Sequence, residues 1–427
     1  MNYQEFFDRA KARQIKNIQI TETTTNNSDI EIKNKNLEAY NINSTIIYDV
    51  KAEYNNRTVK LTTEYLNDEI LDLIITKGTY IDSCYQDEYL NNVNENNETK
   101  LSKIEPMEDI KNRLYKLDEI RLRKKYIKEL TTYYIENEIK LRIINSNGVD
   151  ISTVSHLYKF IVAFVLDNNK EIISYDKTYL TTSYQELEME KYVDELYEEA
   201  KKMLIKEKLE TKKYNIILSS SVAGNILSHL GQMVSASEIR QKISCLENKL
   251  NEKVFSEKVT VIEDPTNKKY PGFTMFDEEG TKTYKKDIIK NGVLKTYLYN
   301  LKEAKEAHVK STGNGYGAIK TRNMYIKPGK KNKKEVLETL QNGLYVTDYM
   351  GASGTSIDCN TGNISLQVFG FVVENGKIKN GFEACVMTTN IFELLTNIEE
   401  IANNLEFSKV SSASPDLLIK NISIAAN

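Results

Sequence analysis

Hydrolysis by a protein-bound zinc needs about three His, Cys or carboxylate ligands, an open position for water, and a carboxylate to take that water's proton. This chain has three histidines, His156, His229 and His308, and none has a second His at the i,i+4 spacing that puts two imidazoles on one helix face. His156 and His308 fall in strand and helix contexts that predict structural or surface roles, which leaves His229 as the one histidine to weigh for a site. Ser228 and Met233, beside it on the same segment, are poor zinc ligands compared with a thiolate or carboxylate. The four cysteines, Cys84, Cys245, Cys359 and Cys385, are scattered without a C-x-x-C pair and read as reduced, ordinary residues. No dyad spacing supports Cys245 or His229 as nucleophile or base. A metal site or catalytic residue belonging to this chain alone is therefore not expected.

Three other groups are candidates for binding. Asp277, Glu278 and Glu279 precede Gly280 in a carboxylate-rich turn that either holds an amine or basic side chain or is simply solvated. Gly313 and Asn314, with Gly315 and Gly317, let a backbone approach a ligand closely, but no Lys-Ser or Lys-Thr follows at the spacing of a phosphate-binding loop. Arg322 and Asn323, at a strand start, suit a peptide carboxylate or a partner's backbone. With His229, these are the candidate substrate-binding residues.

Positioning them requires a change of architecture along the chain. Of 18 glycines only Gly78 and Gly148 precede Gly224, and Pro106 is the only proline before Pro265, so tight turns concentrate in the second half. The pattern predicts an α+β fold: N-terminal α+β regions with an antiparallel sheet, then a mainly antiparallel β C-terminal domain with a few helices. Residues 1–90 read as one α+β subdomain, 91–106 as a polar linker, 107–208 as a second α+β subdomain and 209–427 as the β-rich domain. In the first, a helix over 3–15 precedes short strands over 18–21, 30–32, 39–48 and 50–54 and a helix over 67–77. In the second, a helix over 107–123 leads to strands over 126–135, 138–144, 152–165 and 171–180 and a helix over 185–208. Further on, Ile216 to Leu218 read as a buried strand, and Ser219 to Ser221 as the cap of a helix carrying Val222, Ile226, Leu230 and Met233. Asn291-Gly292 and Asn375-Gly376, each between apolar strands, predict hairpins.

Composition bounds the partners. At 427 residues and 40% hydrophobic the chain can bury more than one core. Lys plus Arg (58) nearly balance Asp plus Glu (61), so no positive excess exists to neutralise nucleic acid or an anionic membrane. No apolar run reaches the roughly 20 residues of a membrane span, and the start lacks a basic then apolar pattern, which predicts a cytoplasmic protein.

Several segments, in this order and spacing, resemble one family. They are Ile262-Glu263-Asp264-Pro265, Phe276-Asp277-Glu278-Glu279-Gly280, the hairpin through Leu298, Ser311-Thr312-Gly313-Asn314-Gly315, Asn360-Thr361-Gly362-Asn363 and Val373-Glu374-Asn375-Gly376. On these, residues 214–427 resemble the C-terminal domain of the TldD/PmbA (TldE) metallopeptidase family, and residues 1–208 resemble its N-terminal regions more loosely. The resemblance implies a pair of homologous subunits, of which TldD binds zinc through an H-E-x-x-x-H helix and a late cysteine, whereas PmbA/TldE lacks both. The corresponding helix here, Asn225 to Met233, has no His-Glu pair, and Glu406 to Ser412 has no cysteine, so the chain resembles the PmbA/TldE subunit. One departure is Thr389, where the family usually has glycine before Asn390. The implied function is a non-catalytic subunit that joins a zinc-bearing TldD-type partner to enclose a chamber for unfolded peptides, which would add as a strand to a sheet edge. The alternative is a homodimeric peptide-binding scaffold without hydrolysis.

Overall fold

The computed structural model describes residues 1–80, 94–98, 106–350, 356–407 and 409–426, with 94–98 as backbone only. In chain order the first half contains α1 (Tyr3–Ala12), β1 (Lys16–Lys33), β2 (Asn36–Tyr54), β3 (Arg57–Thr63), α2 (Asp68–Tyr80), β4 (Asn94–Glu98), α3 (Met107–Asp118), α4 (Ile120–Arg123), β5 (Ile127–Asn145), β6 (Asp150–Asp167), β7 (Ile172–Thr181) and α5 (Met189–Lys202). The strands form one sheet in the order β3-β2-β1-β5-β6-β4, with β7 also on β6. Its pairs are antiparallel except β4 with β6.

The two α+β stretches thus share a sheet, joined where β1 pairs with β5. Within the polar stretch 91–106, residues 94–98 form a strand, and 91–93 and 99–105 lie outside the described residues. The short strands expected at 18–21 and 30–32 are the two ends of β1, and those at 39–48 and 50–54 merge into β2. The polar middle of β1, Thr21 to Asp29, continues as strand because β2 and β5 flank it and satisfy its backbone on both sides. For the same reason 126–135 and 138–144 merge into β5. The helix expected over 107–123 divides at Glu119 into α3 and α4. That over 185–208 shortens to α5, because Lys206 and Glu207 pair instead with the C-terminal strand Lys377–Phe382.

Alternation along β1 gives each sheet face its own work. Ile20 packs beneath α1 and α2, and Ile30 and Ile32 pack beneath α3. Between these covered ends the same face carries Ile42 and Ile46 of β2, paired with Ser28 and Thr24, and both are exposed. On the opposite face, Gln19 and Thr21 meet the backbone of the turn at Glu278 and Glu279.

The C-terminal half holds two larger sheets around α6 (Ser220–Met233). In one, Lys212–Leu218 lies between Gly343–Met350 and Leu417–Ala426. In the other, Val261–Glu263 lies between Lys286–Lys290 and Met324–Ile326, and the last of these pairs in parallel with Ser412–Ser414. Ser219 caps α6 by accepting the Val222 N–H, and Val222, Ile226, Leu230 and Met233 enter a core that draws on both sheets. A second core joins α5 and the first sheet to Tyr345, Phe371 and Leu418, so the halves share buried surface. Both expected hairpins are present: Lys290 pairs with Val293 around Asn291-Gly292, and Glu374 with Lys377 around Asn375-Gly376, with positive φ at all four turn residues.

Gly292 has φ +79°, and a Cβ there would lie 2.3 Å from the Phe255 carbonyl oxygen. Gly292→Ala is expected to cost about 2 to 3 kcal/mol of unfolding free energy, read as a lowered urea midpoint.

Candidate functional site

Glu263 and Lys286 are cross-strand neighbours. Their side chains meet at 2.7 Å, with Glu263 0% and Lys286 7% exposed. Two charges removed from water persist only where their remaining lone pairs and protons are met. Here Asn314 Nδ2 donates to Glu263 Oε1 at 2.8 Å, and the Arg322 N–H donates to the same oxygen at 2.8 Å. Asn314 Oδ1 accepts from Thr312 Oγ1 at 2.8 Å and from Lys286 Nζ at 3.4 Å, and its Nδ2 also reaches the Lys320 carbonyl at 2.9 Å.

The acidic turn sits against this assembly. Phe276 anchors it in an apolar patch with Ile143 and Ile151 of the first sheet and Val149 of the turn between β5 and β6. Asp277 is fully buried: Oδ1 accepts the N–H groups of Glu279 at 3.0 Å and Thr281 at 2.8 Å, and Oδ2 accepts that of Gly315 at 2.8 Å. Burial, with Glu279 beside it, pushes the Asp277 carboxyl up to about 8 against the pull of those three donors. Glu279 Oε2 accepts the Leu301 N–H at 2.7 Å, and a Cβ at Gly315 would lie 2.3 Å from that oxygen, so a side chain there would have to displace the Glu279 carboxylate. Glu278 and Glu279 both border a cleft, and burial raises the pKa of Glu278.

The remaining candidates separate by role. Gly313 holds φ +72° where a Cβ would lie 2.9 Å from the Lys282 carbonyl, so it serves the loop's close approach to its own chain. Asn323 is fully buried, accepting the Gly272 N–H at 2.7 Å and donating to the Asp264 carbonyl at 3.2 Å. The Arg322 guanidinium lies 4.7 Å over the Tyr316 ring. Seven of the eight candidates therefore gather around Glu263 and Asp277. Sequence reading assigned no role to Glu263 or Lys286: Lys285-Lys286-Asp287 has the look of a solvated run, and only the strand register turns Lys286 inward.

His229 stands on α6, half-buried, with Nδ1 4.0 Å from Cys359 Sγ. That thiol is also 3.3 Å from Gln232 Oε1. Burial and the nearby Lys409 hold the imidazole below its ordinary pKa, so it is neutral at pH 7. One imidazole and one protonated thiol do not make a zinc site. Among the described residues no group of three or more His, Cys, Asp or Glu side chains is arranged to hold a metal. Thr389 is a buried strand residue donating to Glu393 Oε2 at 3.2 Å.

At the start of α6 a cleft of about 320 Å³ separates β7 from the C-terminal half, lined among others by Lys177, Ser221, Asn225, Thr347 and Glu406. Buried Asp416 accepts the Ser220 N–H at 2.7 Å and the Tyr345 hydroxyl at 3.2 Å, and Ser220 Oγ donates to Glu406 at 2.9 Å. Lys177 Nζ lies 3.9 Å from Glu406. Among the described residues the strand Gly343–Met350 pairs with Lys212–Leu218 as far as Val346; beyond it the Thr347 carbonyl accepts from Ser219 Oγ at 3.5 Å and the Tyr349 N–H donates to Asp348 Oδ1 at 2.7 Å, and no strand pairs with that edge of Asp348 to Met350 beside the cleft.

Two outcomes test this assembly. Lys286→Met strands Glu263 without its cation and is expected to cost about 3 to 5 kcal/mol, most of it recovered in the Glu263→Gln/Lys286→Met double variant, by urea unfolding. The folded Asp277 pKa lies above its unfolded value, so its contribution is fully present below about 3.9 and is lost as pH rises through about 8. Unfolding free energy measured from pH 5 to 9 should fall across that window, and Asp277→Asn should flatten the fall.

Residues 211–426, half of the chain, match the family model described as the PmbA/TldA metallopeptidase C-terminal domain. A metalloprotease PmbA homologue of Buchnera aphidicola is 30% identical over 220 residues, 52% of this chain and 48% of that protein. The metalloprotease PmbA of Escherichia coli O157:H7 is 30% identical over 199 residues, 47% of this chain and 43% of that protein. The chain thus spans about half the length of these curated relatives. Among solved structures, TldE of Thermococcus kodakarensis superposes with a TM-score of 0.84 at 18% identity, over 99% of both chains, and shares the fold. Taken with the Glu263 and Asp277 loops that its motifs build, the match means that the chain belongs to the TldD/PmbA metallopeptidase family.

Proposed function

We propose that this chain is the non-catalytic, PmbA/TldE-like subunit of a heteromeric metallopeptidase, completing a chamber in which a TldD-type partner carries the zinc and cuts unfolded peptides. The observation that carries the reading is the donor set of α6. The helix is capped, packed between two sheets and bordered by a cleft, yet it offers His229 alone where a catalytic subunit needs two histidines and a glutamate. No hydrolytic step is assigned to this chain's residues. Its part is to hold peptide: the edge of Asp348 to Met350, without a strand partner on that side among the described residues, offers main-chain groups to an extended strand, and Lys177, Glu406 and Ser221 line the space beside it. Exposed Ile42 (67%) and Ile46 (43%), on the uncovered part of a sheet face whose ends are packed by helices, support a partner surface.

Metal analysis of the purified chain without partner is expected to give well below one zinc per mole. Mixing it with a homologue carrying the H-E-x-x-x-H helix should produce chelator-sensitive peptide hydrolysis that this chain alone lacks. Stoichiometric zinc in the isolated chain overturns the reading. Self-association with peptide binding, and no hydrolysis on mixing, would establish the homodimeric scaffold instead.

A further inference from the structure

A second cleft, of about 270 Å³, opens where β1 to β3 meet the acidic turn. Gln19 and Thr21 reach it from one face of β1. Thr21 Oγ1 donates to the Glu278 carbonyl at 3.1 Å and Gln19 Nε2 to the Glu279 carbonyl at 3.5 Å. The second bond fixes the amide's orientation, because the flipped form would set two carbonyl oxygens against each other. Gln19 Oε1 is then left without a donor, although the residue is only 3% exposed. A buried acceptor without a partner costs about 1 to 3 kcal/mol, so a group that brings it an N–H is favoured there.

The other groups at the cleft ask for the same chemistry. The main-chain N–H and C=O of Glu278 are bonded to Gly315 and Thr21. Its carboxylate has no ion pair among the described residues, and Arg322 and Lys320 act on it only at a distance. Asp49 adds a second carboxylate, which accepts from Thr62 Oγ1. Lys51 and Lys60 also line the space, but both are already partnered. Gly317, with φ +69° and nothing within 4 Å of a Cβ position, leaves the rim open. Unmet acceptors therefore dominate, and the compact ligand that answers them is a cation with several N–H donors.

We propose that this cleft binds a primary alkylammonium group, with Gln19 Oε1 and the Glu278 carboxylate accepting its N–H groups. A free alkylamine and a lysine side chain share that chemistry, and only the lysine source rests on the peptide-binding function proposed above.

Isothermal titration of the full chain with n-butylammonium, with acetyl-Ala-Ala-Lys-Ala-Ala-amide, and with the same peptide carrying norleucine for lysine tests it. The lysine peptide or butylammonium, or both, should bind, the lysine peptide at least about tenfold tighter than its norleucine counterpart where peptides bind. Glu278→Gln, on a partly exposed turn, and Gln19→Leu should each weaken ammonium binding about tenfold; Asp49→Asn, on the exposed strand, should weaken it less. Binding of butylammonium alone would assign the cleft to free amines and separate its success from a failure of the peptide-binding function. Equal affinity for the two peptides with no butylammonium binding, no binding of any probe, or binding untouched by Glu278→Gln overturns the proposal.

Discussion

A carboxylate and an ammonium held out of water, Glu263 with Lys286, set the terms for everything around them. Their attraction offsets desolvation only if the remaining polar valences are met, and two strands cannot meet them alone. Asn314 and the Arg322 N–H must arrive from another segment, so the loop from Thr312 to Arg322 is drawn onto the sheet. Once it is there, the Gly315 N–H reaches Asp277, and the Asp277 turn in turn presents its carbonyls to Thr21 and Gln19 of the first sheet. A polar chain of contacts thus runs from the C-terminal half into the N-terminal one, beside the apolar contact of Phe276. Most carboxylates in this region are occupied by backbone donors, which is why the turn works mainly as a joint and exposes Glu278 as its one free acid.

The α6 region follows a different logic. Its start is held by polar contacts, with Ser219 capping and Asp416 taking the Ser220 N–H, and its body by apolar packing against two sheets. Nothing in that support depends on a metal. A helix positioned this way keeps its place whether or not its exposed face carries ligands. The cleft at its start retains charged groups, Lys177 and Glu406 among them, near an open strand edge.

Alternating strands, Ser219 as a helix cap and the two Asn-Gly hairpins were legible in the amino-acid sequence, because each is a local rule in which side-chain period or a positive φ is decided within a few residues. The absence of a second histidine on the α6 segment was legible in the same way. Asp277, Glu278, Glu279, Gly313, Asn314, Arg322 and Asn323 could be picked out by type, as three separate groups. Their roles could not: Asp277 and Asn323 prove to be internal acceptors, and Asn314 the third member of a buried pair. Long β1, β2 and β5 were also beyond local reading, since their polar middles stay extended only because neighbours distant in sequence satisfy the backbone on both sides.

What the sequence determined by itself was therefore the α+β pattern, its hairpins and caps, and a single histidine on α6. Tertiary structure alone decided that Lys286 turns inward to Glu263, that Gln19 is buried with an unanswered oxygen, and that two clefts lie where the halves meet. The physical reason is range: backbone preference and side-chain period act over a few residues, whereas burial, desolvation and ion pairing depend on which distant segments the folded chain brings into contact.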